Sequence, residues 1–449
     1  MKGFGESLGF ETIVDPAGNV IIRKPATAGM ENRKGIILQA HLDMVHQKNS
    51  DTEFDFETQG IESYIDEGWL KAKGTTLGAD NGMGVASVMA VLSSTDIEHG
   101  PVEALFTIDE ETGMTGAFNL QPGVLKGSIL LNTDTEDEGE LCIGCAGGVD
   151  TNIELKYTEA PTGNGTAFSV SVKGLRGGHS GCEIHLGRGN ANKIMNRLIW
   201  NGDQFGLQIA TIDGGSLRNA IPRESFATVV VDSDKTDAFK EYIVGLTGII
   251  QTELIRTEPD LTVSISPTDL PASVMDSDAQ TALVRAIYAA PCGVIRMSNE
   301  MVDLVETSTS LARVAVDSGT AVVQFLSRSS VETARDDLAN MIEATFKLAG
   351  ANVEHSGGYP GWKPNSDSEI LRQMKGIYQD LFGSEPKVNA VHAGLECGII
   401  GSVYPGLDMI SFGPTIKNPH SPDEKCEIAS VEKYWKYLLA TLKAAPLAE

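Results

Sequence analysis

Residues 35–44 read GIILQAHLDM, an apolar run from Gly35 to Ala40 that stops at His41, with Asp43 two residues further on. A short run of this kind predicts a strand buried on both faces, the type found in parallel sheets flanked by helices. Just downstream, residues 82–93 (GMGVASVMAVLS) set Val85, Val88, Met89 and Leu92 on one helical face. EALFTI (103–108) and SILLN (128–132) are further apolar runs of strand length. Strand and helix patterns alternating in this way predict an α/β fold built on a mostly parallel sheet.

The middle of the chain reads differently. FSVSVKG (168–174), TIDGG (211–215), FATVVVD (226–232), LTVSIS (261–266) and AVVQFLS (321–327) alternate as antiparallel strands do, with helix patterns near 189–201, 235–254, 276–289 and 331–348 between them. After GGYPGW (357–362) the α/β character returns, with a helix near 367–382, strands at KVNAV and DMISFG, and a last helix near 430–443. A chain of 449 residues exceeds what one core holds together. The simplest arrangement is one domain in two parts, 1–149 and 353–449, interrupted by a smaller α+β domain over 150–352.

The formal net charge of −26, with no Lys/Arg run to offset it, argues against nucleic acids and anionic membrane surfaces as partners. The longest aliphatic stretch, Val85 to Leu92, is too short to span a bilayer and is broken by Ser87. The opening MKGFGESLGFET lacks the apolar stretch of a secretory signal, so a cytoplasmic location is expected. The 6 cysteines (142, 145, 182, 292, 397 and 426) then read as reduced thiols. Cys142 and Cys145 form a CxxC, but AGGVD follows where a redox motif needs a helix, and no second CxxC completes a thiolate metal site.

Chemistry concentrates in five turns of the outer segments: QAHLDM (His41, Asp43), GADNG (Asp80), TIDEETG (Asp109, Glu110, Glu111), LNTDTE (Asp134) and NPHSPDE (His420). Taken singly, each has a plain structural reading. A chain with 61 acidic residues produces DEE by chance, and Asp-Asn-Gly is a common turn. Together they supply what two zinc ions about 3.5–4 Å apart require: a bridging carboxylate, and a His with a carboxylate around each ion. Asp80, between Gly78 and Gly82, suits the bridge because the backbone can approach closely there. Asp43 lies on the same face as His41 and is expected to accept its second imidazole N–H and fix the tautomer. Glu110 and Glu111, adjacent in extended backbone, would point apart, one to metal and one to water as general base.

HLDMV, GTTLGADNGMG, DEETGMTGA, LNTDTEDEGE, GGHSGCEIH, LRNAIP, HAGLECG and GPTIKNPHSPDE together resemble the aminoacyl-histidine dipeptidase branch of the co-catalytic zinc exopeptidases, from about residue 15 to the C-terminus. GADNG, GGHSGCEIH and HAGLECG carry most of the specificity; several of the others are shared with tripeptidases and acylamino-acid deacylases. The resemblance implies a zinc-exopeptidase-like catalytic domain with an inserted lid. It implies two Zn2+ per chain, for which Co2+ or Mn2+ can substitute, with His41 and Asp134 on one, Glu111 and His420 on the other, and Asp80 bridging. Glu110 becomes the general base toward a zinc-bridging hydroxide, with Asp43 behind His41. In the lid, His179 matches a residue that supports the oxyanion. Asn219, Arg328 and Gly394 match substrate-binding positions, Arg328 being suited to a terminal carboxylate. Read without the resemblance, an Arg at a strand end is a surface residue.

The expected activity is hydrolysis of unblocked dipeptides, preferentially of the Xaa-His (carnosine-like) type, with small peptides as partners and a homodimer through the lid left open. Aminotripeptidase or acylamino-acid deacylase activity is the alternative within the fold. A two-metal phosphoesterase lacks its basic cluster, and a metal-binding scaffold would have no use for Glu110. Two departures stand out. The chain begins close to its first strand, where relatives carry a further amphipathic helix, and His46 occupies a position expected to be proline, where it is not read as a ligand.

Overall fold

The computed structural model describes residues 1–448 and divides the chain into two compact units. The first comprises Met1–Cys145, Trp362–Ala390 and the residues from Leu395 on; the second comprises Ala146–Gly361 with the strip Val391–Gly394. The divisions fall at Cys145/Ala146 and Gly361/Trp362, outside the sequence boundaries of 150 and 352. The reason is that strands Gly147–Lys156 and Asn352–Tyr359 pair with each other inside the second unit's sheet. The strip joins that unit because the Ala146 amide donates to the carbonyls of Val391 and Ala393.

The first unit is built on a sheet of 8 strands. Its middle is parallel: Val102–Thr107, Ile36–His41, Ile129–Asn132 and Asp408–Ser411 lie side by side in that order. Strands Ile36–His41 and Val102–Thr107 are buried at every residue, as their apolar runs require. These four strands are parallel to one another. Glu11–Val14 and Val20–Lys24 on one side and Glu140–Cys145 on the other run antiparallel, so the sheet is mixed. The first two are joined by a tight turn at Asp15–Asn19, which allows only antiparallel pairing. The carboxyl ends of the parallel strands deliver His41, Glu110 and Asp134 to one edge of the sheet, the usual place for a site in such folds.

A separate sheet of 4 strands sets the remaining pieces. Lys425–Glu427 pairs with Ile416–Lys417 on one side and with Trp69–Ala72 on the other. The loop between Lys417 and Lys425, with His420 in it, is thereby held beside the segment leading from Ala72 to Asp80.

The second unit has a 9-stranded antiparallel sheet. Helices Ala191–Ile199, Thr236–Leu254, Ser277–Ala289 and Glu332–Leu348 share its core, where Phe325 meets Phe346 and Phe168 meets Phe239, each pair with ring centroids 5.9 Å apart. All four helices agree with the sequence patterns to within a few residues. Among the described residues no disulfide is formed, and Cys142 and Cys145 lie buried on one strand. No helix among the described residues is long and apolar enough to cross a membrane.

Helix Ala79–Ser93 approaches the end of strand Ile129–Asn132 at Gly84. A Cβ there would stand 2.9 Å from the Thr133 carbonyl oxygen and closer still to the Asn81 and Thr133 side chains. Gly84 therefore sets the separation of the segments that carry Asp80 and Asp134. Gly84→Ala is expected to cost about 1–3 kcal/mol, the usual effect of overpacking. Denaturant unfolding of the metal-free protein measures it, and unchanged stability would mean that the helix moves freely.

Candidate active site

Asp80 and Asn81 open helix Ala79–Ser93 with non-helical backbone angles, and the peptide between them is cis. The two carboxylate oxygens of Asp80 face different imidazoles: Oδ1 lies 3.1 Å from His41 Nε2 and Oδ2 lies 3.2 Å from His420 Nε2. Asp134 Oδ1 lies 3.3 Å from His41 Nε2, and Glu111 Oε2 lies 3.0 Å from His420 Nε2. Two donor groups result, His41–Asp80–Asp134 and Asp80–Glu111–His420, each with its ligand atoms within 4.8 Å of one another and Asp80 common to both. A third such group is His41–Glu110–Glu111.

The imidazoles and carboxylates of these groups shift one another's ionisation. Burial opposes a charge on His41, but the surrounding carboxylates of Asp134, Asp43 and Asp80 raise its pKa far above the usual imidazole range. Asp80 is held well below the carboxylate range by His41 and His420 despite its burial. His420 rises to about 10 on its bonds to Asp80 and Glu111. Glu110 is pushed up first by burial and then by the charge of Asp134. Glu111 Oε1 is buried and has no hydrogen-bond partner among the described residues. An orphaned carboxylate oxygen beside imidazole and carboxylate donors, with no thiolate, fits hard or borderline divalent ions such as zinc.

Two expectations need correction. The His41 Nδ1–H is taken not by the Asp43 carboxylate but by its backbone carbonyl, at 3.0 Å; the nearest carboxylate oxygen is 3.6 Å away. The tautomer is still fixed, leaving Nε2 to face Asp80 and Asp134. The Asp43 carboxylate instead accepts the backbone amides of Glu110 and Glu111, each at 3.1 Å, and His41 and these amides outweigh burial to hold it at about 2. Nor are Glu110 and Glu111 in extended backbone. They open a single helical turn, Glu110–Gly113, whose first amides need an acceptor, and Asp43 is that acceptor.

The sequence motifs contain partners that their reading passed over. Glu424, 2% exposed, accepts amide hydrogens from Leu77 (2.7 Å), Gly78 (2.9 Å), Ala79 (2.7 Å) and Asp80 (3.3 Å). Its only signal was an acid four residues after His420 in NPHSPDE. Asn81 donates to Asp134 Oδ1. Glu396, in HAGLECG, accepts from Gln39 and Thr107, each at 2.7 Å, and burial pushes its carboxyl up to about 7. Asp109 bonds Thr112 and Thr115 within its own turn, and His46 packs edge-on against Phe56 at 5.6 Å.

The second unit carries the other expected residues. His179 Nδ1 accepts the amides of Gly181 (3.1 Å) and Cys182 (2.9 Å), so the proton of its neutral ring sits on Nε2. Burial and then the Arg328 charge hold that ring's pKa down. Arg328 is no surface residue: it is 4% exposed, its Nη1 donates to the Tyr359 hydroxyl at 2.6 Å, and its Nε has no partner among the described residues. Asn219 is exposed, in a loop whose backbone accepts the Ser180 amide at 2.8 Å. Gly394 lies in the strip Val391–Gly394, next to His392, whose Nε2 shares a 2.7 Å hydrogen bond with the Ser308 hydroxyl.

A mixed α/β unit with a shared carboxylate between two imidazoles, interrupted by an antiparallel α+β unit, is the architecture of a metal-dependent peptidase. Residues 37–444 match the model of peptidase family M20/M25/M40, and the chain belongs to that family. It is 45% identical over 447 residues to the cytosol non-specific dipeptidase of Escherichia coli (strain K12), covering 99% of this chain and 92% of that one. The crystal structure of aminoacylhistidine dipeptidase from Vibrio alginolyticus superposes with a TM-score of 0.94 at 47% identity, covering 99% of this chain and 91% of that one. Aminopeptidase PepT from Bacillus cereus shares the fold, with a TM-score of 0.55 at 17% identity over 98% of this chain and 90% of that one.

Two outcomes are expected. Glu424→Gln puts an NH2 group against four amides that need an acceptor, and should weaken metal affinity by about 10–100-fold, as loss of an outer partner does. Titration with a metal buffer reads this; unaltered affinity would remove Glu424 from the site's support. His392 concerns pH. Burial first, then the charges of Arg328, His179 and His185, lower its pKa to about 3, so it is neutral in the fold while the unfolded chain takes up a proton below about 6.5. Its contribution to stability is therefore complete above about 6.5 and is lost as pH falls toward about 3. The destabilisation caused by His392→Gln, measured as a difference in Tm, should shrink between about pH 7 and pH 4.

Proposed function

We propose that this protein is a two-metal dipeptidase that hydrolyses unblocked dipeptides, those of the Xaa-His type foremost. The observation that carries the reading is Asp80, with one oxygen toward His41 and the other toward His420. His41 and Asp134 would hold one ion, Glu111 and His420 the other, and Asp80 both. Two zinc ions suit this donor set, with cobalt or manganese as substitutes. When bound, such a pair supplies Lewis acidity to the scissile carbonyl and lowers the pKa of the attacking water.

The chain's own residues do the rest. Glu110, beside Glu111 in the same helical turn, takes the proton of the attacking water and returns it to the leaving amine. Asp43 orients that turn through its two amides and fixes His41 through its carbonyl. The first unit acts as the catalytic domain and the inserted unit as a lid. In the lid, His179 offers Nε2–H to the developing oxyanion, a role its tautomer supports. Arg328 receives the substrate's terminal carboxylate, and Asn219 and Gly394 complete substrate binding. Burial of the Arg328 guanidinium supports this, because a charged group excluded from water calls for an anionic partner.

The preference for dipeptides, and for Xaa-His, draws on two relatives with more than 40% identity, one named a non-specific dipeptidase and the other an aminoacylhistidine dipeptidase. A cytoplasmic location agrees with the word cytosol in the first name. A homodimer through the inserted unit is supported by the exposed Val294, Ile295 and Met297 of strand Gly293–Met297.

Glu110→Gln is expected to retain both metals while turnover falls by about 10²–10⁴-fold, the usual worth of a general base. Asp80→Ala should lose two-metal loading altogether. A panel of free dipeptides, tripeptides and acylamino acids completes the experiment. Near-normal turnover in Glu110→Gln, two tight ions in Asp80→Ala, or cleavage of tripeptides or acylamino acids as fast as dipeptides would each defeat the reading.

A further inference from the structure

Strand Gly147–Lys156 begins with two glycines, part of the AGGVD that follows the CxxC. Across the second unit's sheet, Ser308 pairs with Arg328, Arg328 with Gly148, and Gly148 with Tyr359, so these four residues form one row over four adjacent strands. The position between Arg328 and Tyr359 in that row has no side chain. A Cβ on Gly148 would stand 2.6 Å from both Cζ and the hydroxyl oxygen of Tyr359. The phenol ring therefore lies across the glycine, and its hydroxyl reaches the residue beyond, accepting from Arg328 Nη1 at 2.6 Å. The backbone carbonyl of Tyr359 is pinned in turn by Arg335 Nη1 at 2.7 Å. On its other flank the Arg328 side chain passes close to Gly181, where a Cβ would come within 3.0 Å of its Cδ and Nε.

We propose that Tyr359, laid over Gly148, is a positioning residue that aims the Arg328 guanidinium at the substrate's terminal carboxylate. The proposal rests on the carboxylate role given to Arg328 above. An arginine side chain has several rotatable bonds and loses much freedom on being fixed. One hydrogen bond to Nη1, with backbone packed against Cδ and Nε, fixes the plane of the fork and leaves Nε and Nη2 for a bidentate partner. The hydroxyl is suited to this because it accepts from the guanidinium without neutralising it, as a carboxylate there would.

Tyr359→Phe keeps the ring and its packing and removes only the acceptor. KM for a free dipeptide should rise about 3–10-fold, the worth of one hydrogen bond, with kcat unchanged within about twofold. Hydrolysis of the corresponding dipeptide amide should not change. In an Arg328→Ala background the same substitution should add nothing, since its effect passes through the guanidinium. Gly148→Ala, which drives the phenol off its seat, should give the same acid-specific loss. Equal losses on acid and amide in Tyr359→Phe, a loss in kcat alone, or a loss that adds to that of Arg328→Ala would each overturn the proposal. Arg328→Ala is read separately: if it impairs acid and amide equally, the carboxylate role itself fails, and Tyr359 falls with it. Discrimination in Arg328→Ala but not in Tyr359→Phe would remove only Tyr359.

Discussion

The carboxylate of Glu424 gathers the amides of four successive residues, Leu77 to Asp80, and much of the first unit's chemistry is arranged around that contact. It does for the Asp80 segment what the Asp43 carboxylate does for the Glu110–Glu111 turn: each buried or half-buried acid stops a stretch of backbone whose amides have no helical partner. Because Glu424 and His420 share one short loop, the group that holds the Asp80 backbone and one imidazole that faces its carboxylate arrive together. Asp80 is thus fixed from behind through its amide and from in front through both oxygens. A carboxylate held in this way keeps one oxygen toward each imidazole, where a freely rotating one would not.

The electrostatics follow from the same crowding. Asp80, Glu110, Glu111 and Asp134 stand around His41 and His420, with Glu136 and Glu396 nearby. Burial, followed by Asp80 and Asp134, lifts the Glu136 carboxyl to about 7. So many acids in so little water are tolerable only with positive charge among them. Protonated imidazoles supply some of it, and divalent ions would supply more while releasing those protons. The strongly acidic composition thus has a local counterpart at the site, although most of the chain's 61 acidic residues lie elsewhere.

The turns that carry the candidate site are legible in the sequence because each is tied to a strand end or helix start that its own apolar pattern defines. His41 ends GIILQA, Glu110 follows EALFT, and Asp134 follows ILLN. The inserted domain shows itself by the change from unbroken to alternating runs. Other features leave no such mark. The antiparallel edges of the first sheet depend on a turn that looks like any loop. Glu424 works through backbone amides more than 340 residues away, and an acid that binds backbone selects no pattern in its partners. Residue spacing places Asp43 near the His41 Nδ1–H but does not show which of its oxygens accepts it. The burial of Arg328 was hidden for a similar reason, since LSRSS at the end of a strand says nothing about what covers it.

The distance along the chain between Asp80 and its second imidazole has a consequence for synthesis. Asp80, Glu111 and Asp134 leave the ribosome first, then the whole inserted unit, and only after it His420 and Glu424, 340 and 344 residues after Asp80. For most of translation the nascent first unit is an acidic half-site with one imidazole and an unpinned Asp80 segment. It can offer a metal at most a partial and loosely held set of donors. The second imidazole and the clamp on the Asp80 backbone are thereby deferred until the inserted unit has been made, so a chain broken off before them lacks both.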